Sequence, residues 1–278
     1  MKKVFLWKLL EDRGLFADRE TATSWIMSGK VLVNDRPIDK AGYLVPRDAS
    51  IRIKDYGKKY VGKGGVKLEG ALRDLDIDIS GKVVLDVGAS IGGFTDCLLQ
   101  HGASKVYAVD VGFGQLAGKL RIDRRVVNME RTNISDVMPD QLYPKPAFAT
   151  VDISYLSLAK AIPIISSLLD QKGEMLCLVK PLFEVSDPEV RRTGEIDDLS
   201  IYNEVLHGII SFTEESGFYP VGVTYSHVTG NKGTREFFIL ISLDNKPVSQ
   251  NIRSGIADVV EAAMKLPVFQ REYSLMDN

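Results

Sequence analysis

Between residues 82 and 180, short apolar runs alternate with segments of helical period, and this alternation is the strongest pattern in the chain. Runs at 82–87, 105–110, 126–129, 147–152 and 174–180 read as buried strands, with helices at 92–101 and 159–169 between them. The pattern predicts a doubly wound α/β sheet with helices on both faces, a Rossmann-like arrangement. Two later runs, 221–226 and 235–241, are joined by a short glycine-containing link and are expected to pair antiparallel. A last helix is expected over 249–265.

The first 60 residues follow a different rhythm. Val4, Leu6, Leu9 and Leu10 fall at helical spacing in 3–13, and Gly14 stops that helix. Asp18 is placed to cap a second helix whose apolar side is Ala22, Trp25, Ile26 and Met27. Segments 30–34 and 50–54 alternate like strands, with a turn at 35–37. A small α+β module over 1–59, a glycine- and lysine-rich linker over 60–65 and a large domain over 66–278 are therefore expected. The helix from 66 to 75 carries Lys67.

Composition narrows the class. The 278 residues are 45% hydrophobic and 26% charged, which excludes a disordered or collagen-like chain. The formal charge of −2 hides an asymmetry, because residues 1–63 hold 14 Lys/Arg against 8 Asp/Glu. A basic module beside an acidic domain suits attachment to a polyanion. Two cysteines, Cys97 and Cys177, lie in apolar runs and provide neither a disulfide framework nor a metal cluster, so a reducing, cytoplasmic setting is expected. His101, His207 and His227 lack ligand spacing, and no metal is expected. No signal peptide or membrane span is read from the sequence.

The most informative local signal is the bend after the first strand of the sheet, running from Asp86 through Gly88, Ala89, Ser90, Gly92, Gly93 and Phe94. Gly88 is expected to allow the tight turn, and Gly92 and Gly93 to leave space for a ligand at the helix N-terminus. Ala89 and Ser90 occupy the place where a dinucleotide site requires its second glycine, so a pyrophosphate is disfavoured. Asp86 is expected to receive an ammonium group. Asp110, ending the next strand and followed by Val111, is expected to accept from ribose hydroxyls. A nucleoside bearing a cationic amino acid satisfies both, and S-adenosylmethionine is the expected cofactor.

Two resemblances extend this reading. Arg19-Glu20, Ala22, Ile26, Gly29-Lys30-Val31 and Val33-Asn34 resemble the RNA-binding module named after ribosomal protein S-four. Phe5 and Trp7 stand where that family opens with Arg and Asp, and Asp18 replaces its customary Ser. The likeness implies RNA contacts from Arg19, Lys30, Asn34 and Arg36, and the basic joint adds Lys58, Lys59 and Lys63. Trp7 and Trp25 are read as packing the small module, with a face offered to an unstacked base as the alternative. The second resemblance is to the TlyA family, hemolysin-labelled proteins similar to FtsJ-like ribosomal RNA 2′-O-methyltransferases. It rests on Gly64-Gly65-Val66-Lys67-Leu68, residues 86–94, Val109-Asp110-Val111-Gly112, Glu130-Arg131-Thr132-Asn133, Val151-Asp152-Ile153-Ser154, Leu178-Val179-Lys180-Pro181 and Gly230-Asn231 with Glu236-Phe237-Phe238.

The FtsJ-like Lys-Asp-Lys-Glu set carries over to Lys67, Asp152, Lys180 and Glu236. Strand logic supports these positions separately, since Asp152 and Lys180 end parallel strands at the edge where open α/β sheets hold ligands. Asp152 also borders the cofactor site. The resemblance implies methyl transfer to ribosomal RNA or ribosomal subunits, with Lys180 steering or accepting the hydroxyl proton. A non-catalytic RNA-binding assembly factor, a hemolysin and a small-molecule methyltransferase are the alternatives. The segment 186–198, with Arg191 and Arg192, reads equally as a mobile loop over the cleft and as a solvated connector.

Overall fold

The computed structural model describes residues 3–16, 18–53, 59–154, 156–185, 188–193, 196, 198–230, 233–245 and 252–266. The chain divides into two compact units, 1–58 and 59–278.

The first unit runs β1 (Lys3–Phe5), α1 (Leu6–Asp12), α2 (Arg19–Met27), β2 (Val31–Val33), β3 (Arg36–Ile38), β4 (Leu44–Pro46) and β5 (Ile51–Ile53). Asp18 caps α2 as expected, its Oδ1 accepting from the Thr21 amide at 2.7 Å. Residues 3–13 do not form one helix. Val4 pairs with Val45 across β1 and β4, and the helix starts only at Leu6. A three-residue strand has too little periodicity to be seen beside a helical pattern, and pairing with a distant segment decides it. β2 lies between β3 and β5, and the β2–β3 turn puts Asn34 and Asp35 in the left-handed region, φ 49° and 62°. Leu6, Leu9, Leu10, Ala22, Ile26, Val31, Val33 and Val45 form the core.

The second unit runs α3 (Lys63–Asp74), β6 (Val83–Val87), α4 (Gly93–Gln100), β7 (Lys105–Asp110), α5 (Gly118–Arg121), β8 (Val126–Glu130), β9 (Phe148–Val151), α6 (Leu158–Leu168) and β10 (Glu174–Val179). It continues through α7 (Pro181–Glu184), α8 (Pro188–Thr193), α9 (Leu199–Glu215), β11 (Tyr219–Tyr225), β12 (Phe237–Ser242) and α10 (Ile256–Met264). The seven-stranded sheet has the order β11-β12-β10-β9-β6-β7-β8, with β8, β7, β6, β9 and β10 parallel and β12 antiparallel to β10 and β11. Alternate residues enter two separate cores. Leu85, Val87, Cys177, Val179, Phe237 and Ile239 pack on one face, and Val84, Leu176, Leu178, Phe238 and Leu240 on the other. Burial on both faces explains why these strands read as continuous apolar runs.

Two expectations are corrected. Residues 60–65 are not a free linker: Tyr60 is 3% exposed, the Val61 amide donates to Asp96 Oδ2 at 2.8 Å, and α3 begins at Lys63. Gly64 and Gly65 serve contact with α4, since a Cβ on Gly93 would meet Gly64 Cα at 3.2 Å and the Gly65 amide nitrogen at 3.1 Å. Within the expected 186–198 loop, residues 188–193 are helical, while 186, 187, 194, 195 and 197 lie outside the described residues. The last helix spans Ile256–Met264, and residues 249–251 of its expected start also lie outside them.

Candidate active site

Strand register brings the predicted charged residues to one edge of the sheet. Asp152 follows β9 and Lys180 follows β10. Val179 pairs with Phe237, so Glu236, preceding β12, falls beside Lys180 across the antiparallel pair. Lys67 comes from the second turn of α3. The four form two ion pairs, Lys180 Nζ to Asp152 Oδ1 at 2.6 Å and Lys67 Nζ to Glu236 Oε2 at 2.5 Å.

The pairs differ in environment. Lys67 and Glu236 are 12% and 7% exposed, and burial holds the Glu236 carboxyl above the usual carboxylate range against the opposing pull of Lys67. The charges of Asp152 and Lys180 also act on Glu236, which joins the two pairs electrostatically. Gly230 makes room for the acid, because a Cβ there would lie 2.3 Å from Glu236 Oε1. Lys180 and Asp152 are more open, at 17% and 23%. Lys180 Nζ also donates to Ser154 Oγ at 2.9 Å.

The bend after β6 meets this rim directly. Gly88 has φ +87°, and a Cβ on it would sit 2.2 Å from the Asp152 carbonyl oxygen. The Asp152 amide donates to the Val87 carbonyl at 2.8 Å. The neighbouring glycines correct the expectation that they leave space for a ligand. At Gly92, φ +93°, a Cβ would meet Leu120 Cδ1 at 2.2 Å, and Gly93 packs on α3 as described. Phe94 is 4% exposed and packs against Phe238, with ring centroids 6.2 Å apart. Ala89 is buried with its amide on the Val109 carbonyl. Ser90, at φ +49°, stands exposed at the tip.

Asp86 is also corrected. Its carboxylate is fully buried and accepts from Thr95 Oγ1 at 2.6 Å and Thr150 Oγ1 at 2.8 Å, so no oxygen is presented to an external ammonium group. Burial pushes its pKa up to about 6, even with both hydroxyls favouring the charged form. Asp110 fits its expected task better. Its Oδ2 accepts from the Ser90 amide and its Oδ1 from the Gly112 amide, both at 2.7 Å. A half-buried carboxylate fixed this way keeps a further lone pair on each oxygen, enough to accept two ribose hydroxyls. Val111 beside it is 48% exposed. The donor and acceptor set at this edge therefore fits a nucleoside cofactor.

Two further groups escaped the sequence reading. Glu130, paired with Asp110 in the β7–β8 register, accepts from the Gln115 and Leu116 amides and takes Arg121 on both oxygens. The Leu116 amide, with the Asn128 side chain and the Gln115 amide, holds its pKa down to about 2. An acid one strand over from Asp110, at the same level, was a visible signal. Ser154 is the other: two residues after Asp152, it is within reach of the same amine.

The expected RNA contacts divide. Arg19, Lys30 and Arg36 are exposed on the first unit, and Lys63 is exposed on the first turn of α3. Asn34 serves its turn, its Oδ1 accepting from the Ser50 amide at 3.1 Å. Lys59 is engaged by Glu69, and Lys58 lies outside the described residues. No helix among the described residues is long and apolar enough to cross a membrane.

Comparison with known proteins gives the family. Residues 60–243 match the model of the FtsJ-like methyltransferase family, and residues 8–51 match the S4 domain. A candidate rRNA methyltransferase, YqxC, from Bacillus subtilis (strain 168) is 42% identical over 239 residues, 86% of this chain and 85% of that protein. The 16S/23S rRNA (cytidine-2′-O)-methyltransferase TlyA of Mycobacterium tuberculosis (strain ATCC 25618 / H37Rv) is 36% identical over 254 residues, 91% of this chain and 94% of its own. A solved structure described as a candidate hemolysin from Streptococcus thermophilus superposes with a TM-score of 0.71 at 35% identity, covering 95% of this chain and 97% of that one. The chain therefore belongs to the FtsJ-like methyltransferase family and is an S-adenosylmethionine-dependent methyltransferase carrying an N-terminal S4 domain.

Proposed function

We propose that this protein methylates ribose 2′-hydroxyls of ribosomal RNA in the cytoplasm, with residues 1–58 docking the RNA and 59–278 performing the transfer. The observation that carries the reading is the meeting of Lys180–Asp152 and Lys67–Glu236 at one sheet edge, against the Gly88 bend. The names of the TlyA and YqxC relatives support the substrate class.

Asp110 holds the ribose of the cofactor, and the 88–90 bend and Val111 border it. S-adenosylmethionine, when bound, supplies a methyl group on a sulfonium that an oxygen nucleophile displaces in line. The work left to the protein is alignment and proton handling, and correct alignment is worth up to about 7–11 kcal/mol. Lys180, fixed between Asp152 Oδ1 and Ser154 Oγ, steers or accepts the proton of the 2′-hydroxyl. Lys67, anchored by Glu236, orients the acceptor ribose. Asp152 and Glu236 set the charge that the two amines share.

The test is incubation with methyl-labelled S-adenosylmethionine and unmodified ribosomal RNA or subunits, followed by mapping of the label. A methyl on a ribose oxygen, which protects the adjacent phosphodiester from alkaline cleavage, is expected. Label on a base, or none on RNA, overturns the proposal.

A further inference from the structure

We infer that the N-terminal unit carries a stacking site for one unpaired nucleobase, built from Phe5, Trp7 and Arg19. The inference rests on the ribosomal RNA reading above and deepens it. Phe5 ends β1 and Trp7 lies in the first turn of α1, with their rings 6.0 Å apart between centroids and 15° from parallel. Arg19, the first residue of α2, places its guanidinium 4.5 Å from the Trp7 ring centroid. Two aromatic planes and a guanidinium plane thus gather where the S-four-type modules open with a charged pair.

These groups line a cleft of about 570 Å³. Glu20 and Thr23 from α2 complete one wall, and Ala41-Gly42 the other. The second wall is held against α1 by the Leu6 amide, which donates to the Tyr43 carbonyl at 2.8 Å. The volume lies in the range of about 300–1,000 Å³ that suits small organic ligands. Phe5 is 47% exposed, as is its cross-strand partner Leu44 at 48%. Trp7 is partly buried and packs against the core as expected, so Phe5 is the more open plane of the stack.

The chemistry selects the occupant. A flat heterocycle matches the aromatic and guanidinium faces, its polar edge matches Glu20 and Thr23, and the phosphate that accompanies it matches Arg19 and the basic charge of residues 1–63. A duplex keeps its bases stacked inside, so only a single-stranded or looped RNA delivers one.

The experiment uses the full chain. Trp25→Phe leaves Trp7 as the sole tryptophan of two, and its emission is followed while a single-stranded oligoribonucleotide or a duplex of equal length is added. Quenching by the single strand and not by the duplex is expected. Trp7→Leu should weaken single-strand binding by about 5- to 150-fold, the range for loss of one stacked base, and Trp7→Phe should retain most of it. Gly42→Leu adds bulk at a lining position where a Cβ meets no atom within 4 Å, and a similar loss is expected. That variant decides the matter if Trp7→Leu fails to fold. Bound RNA with unchanged Trp7 emission and unchanged affinity in Gly42→Leu overturns the stacking site and leaves the RNA reading standing. Equal quenching by duplex reassigns the contact to the RNA backbone or to a protein-like face and overturns it too. Failure of the parent chain to bind any RNA overturns both.

Discussion

The glycine bend after β6 and the charged rim after β9 and β10 share one sheet edge, yet their residues are committed in opposite directions. At the bend, Gly88, Gly92 and Gly93 are required by neighbouring protein atoms, and Asp86 is sealed beneath two threonines. At the rim, Lys180 and Asp152 retain partial exposure, and each charge has a partner of opposite sign. The bend is therefore held by its own protein neighbours beside Asp152, and the rim keeps paired charges that are partly exposed. Substitutions in the bend should chiefly disturb folding and cofactor affinity. Substitutions in the rim should chiefly disturb turnover.

Gly88→Ala makes the largest break on the bend side. Strain at φ +87° adds to collision with the Asp152 carbonyl, and a loss of about 4 kcal/mol of stability is expected in chemical denaturation. Lys67→Met probes the more buried of the rim pairs, because it strands the Glu236 carboxylate. A cost of about 3 kcal/mol near neutral pH is expected, largely relieved in the double variant with Glu236→Gln. If the double variant is as unstable as the single one, the pair is not the cause.

Asp86 sharpens the contrast through pH. Its pKa in the folded chain, about 6, exceeds the ordinary 3.8, so the folded state holds the proton more tightly than the unfolded state. Its contribution is greatest below about pH 4 and declines as pH rises through about 6, by up to about 3 kcal/mol. Asp86→Asn should remove this slope relative to the parent, as read from denaturation midpoints at pH 4.5, 5.5 and 7. The smallest effect is expected at Ser154. Loss of its contact with Lys180 should lower turnover by no more than about tenfold, with stability and cofactor affinity unchanged.

The same contrast governs what could be read from sequence. The strands of the large sheet were legible because both faces are buried, which writes long apolar runs at 82–87 and 174–180. Asp152 and Lys180 stand out because a charge directly after such a run has few structural reasons to be there, whereas Lys67 and Glu236 come from the FtsJ-like resemblance. Gly88 makes the expected turn, while Gly92 and Gly93, expected to leave ligand space, pack closely on Leu120 and on α3, and such close packing leaves the same small residues as a ligand site. Residues 60–65 read as a linker for the same reason: Gly64 and Gly65 belong to a helix whose partner, Gly93, lies well over two dozen residues further along the chain. The strand at 3–5 was hidden because its pairing with 44–46 is purely tertiary. Burial of Asp86 depends on hydroxyls from α4 and β9, and its own neighbours in sequence carry no sign of it.

The most direct measurement is single-turnover methyl transfer to ribosomal RNA by Lys180→Ala beside the parent chain, with S-adenosylmethionine affinity determined by calorimetry on the same preparations. A fall in the transfer rate of about 10²- to 10⁴-fold with unchanged cofactor affinity is the expected result. Transfer at the parental rate, or a rate loss matched by loss of cofactor binding, would contradict the assignment of proton handling to the rim.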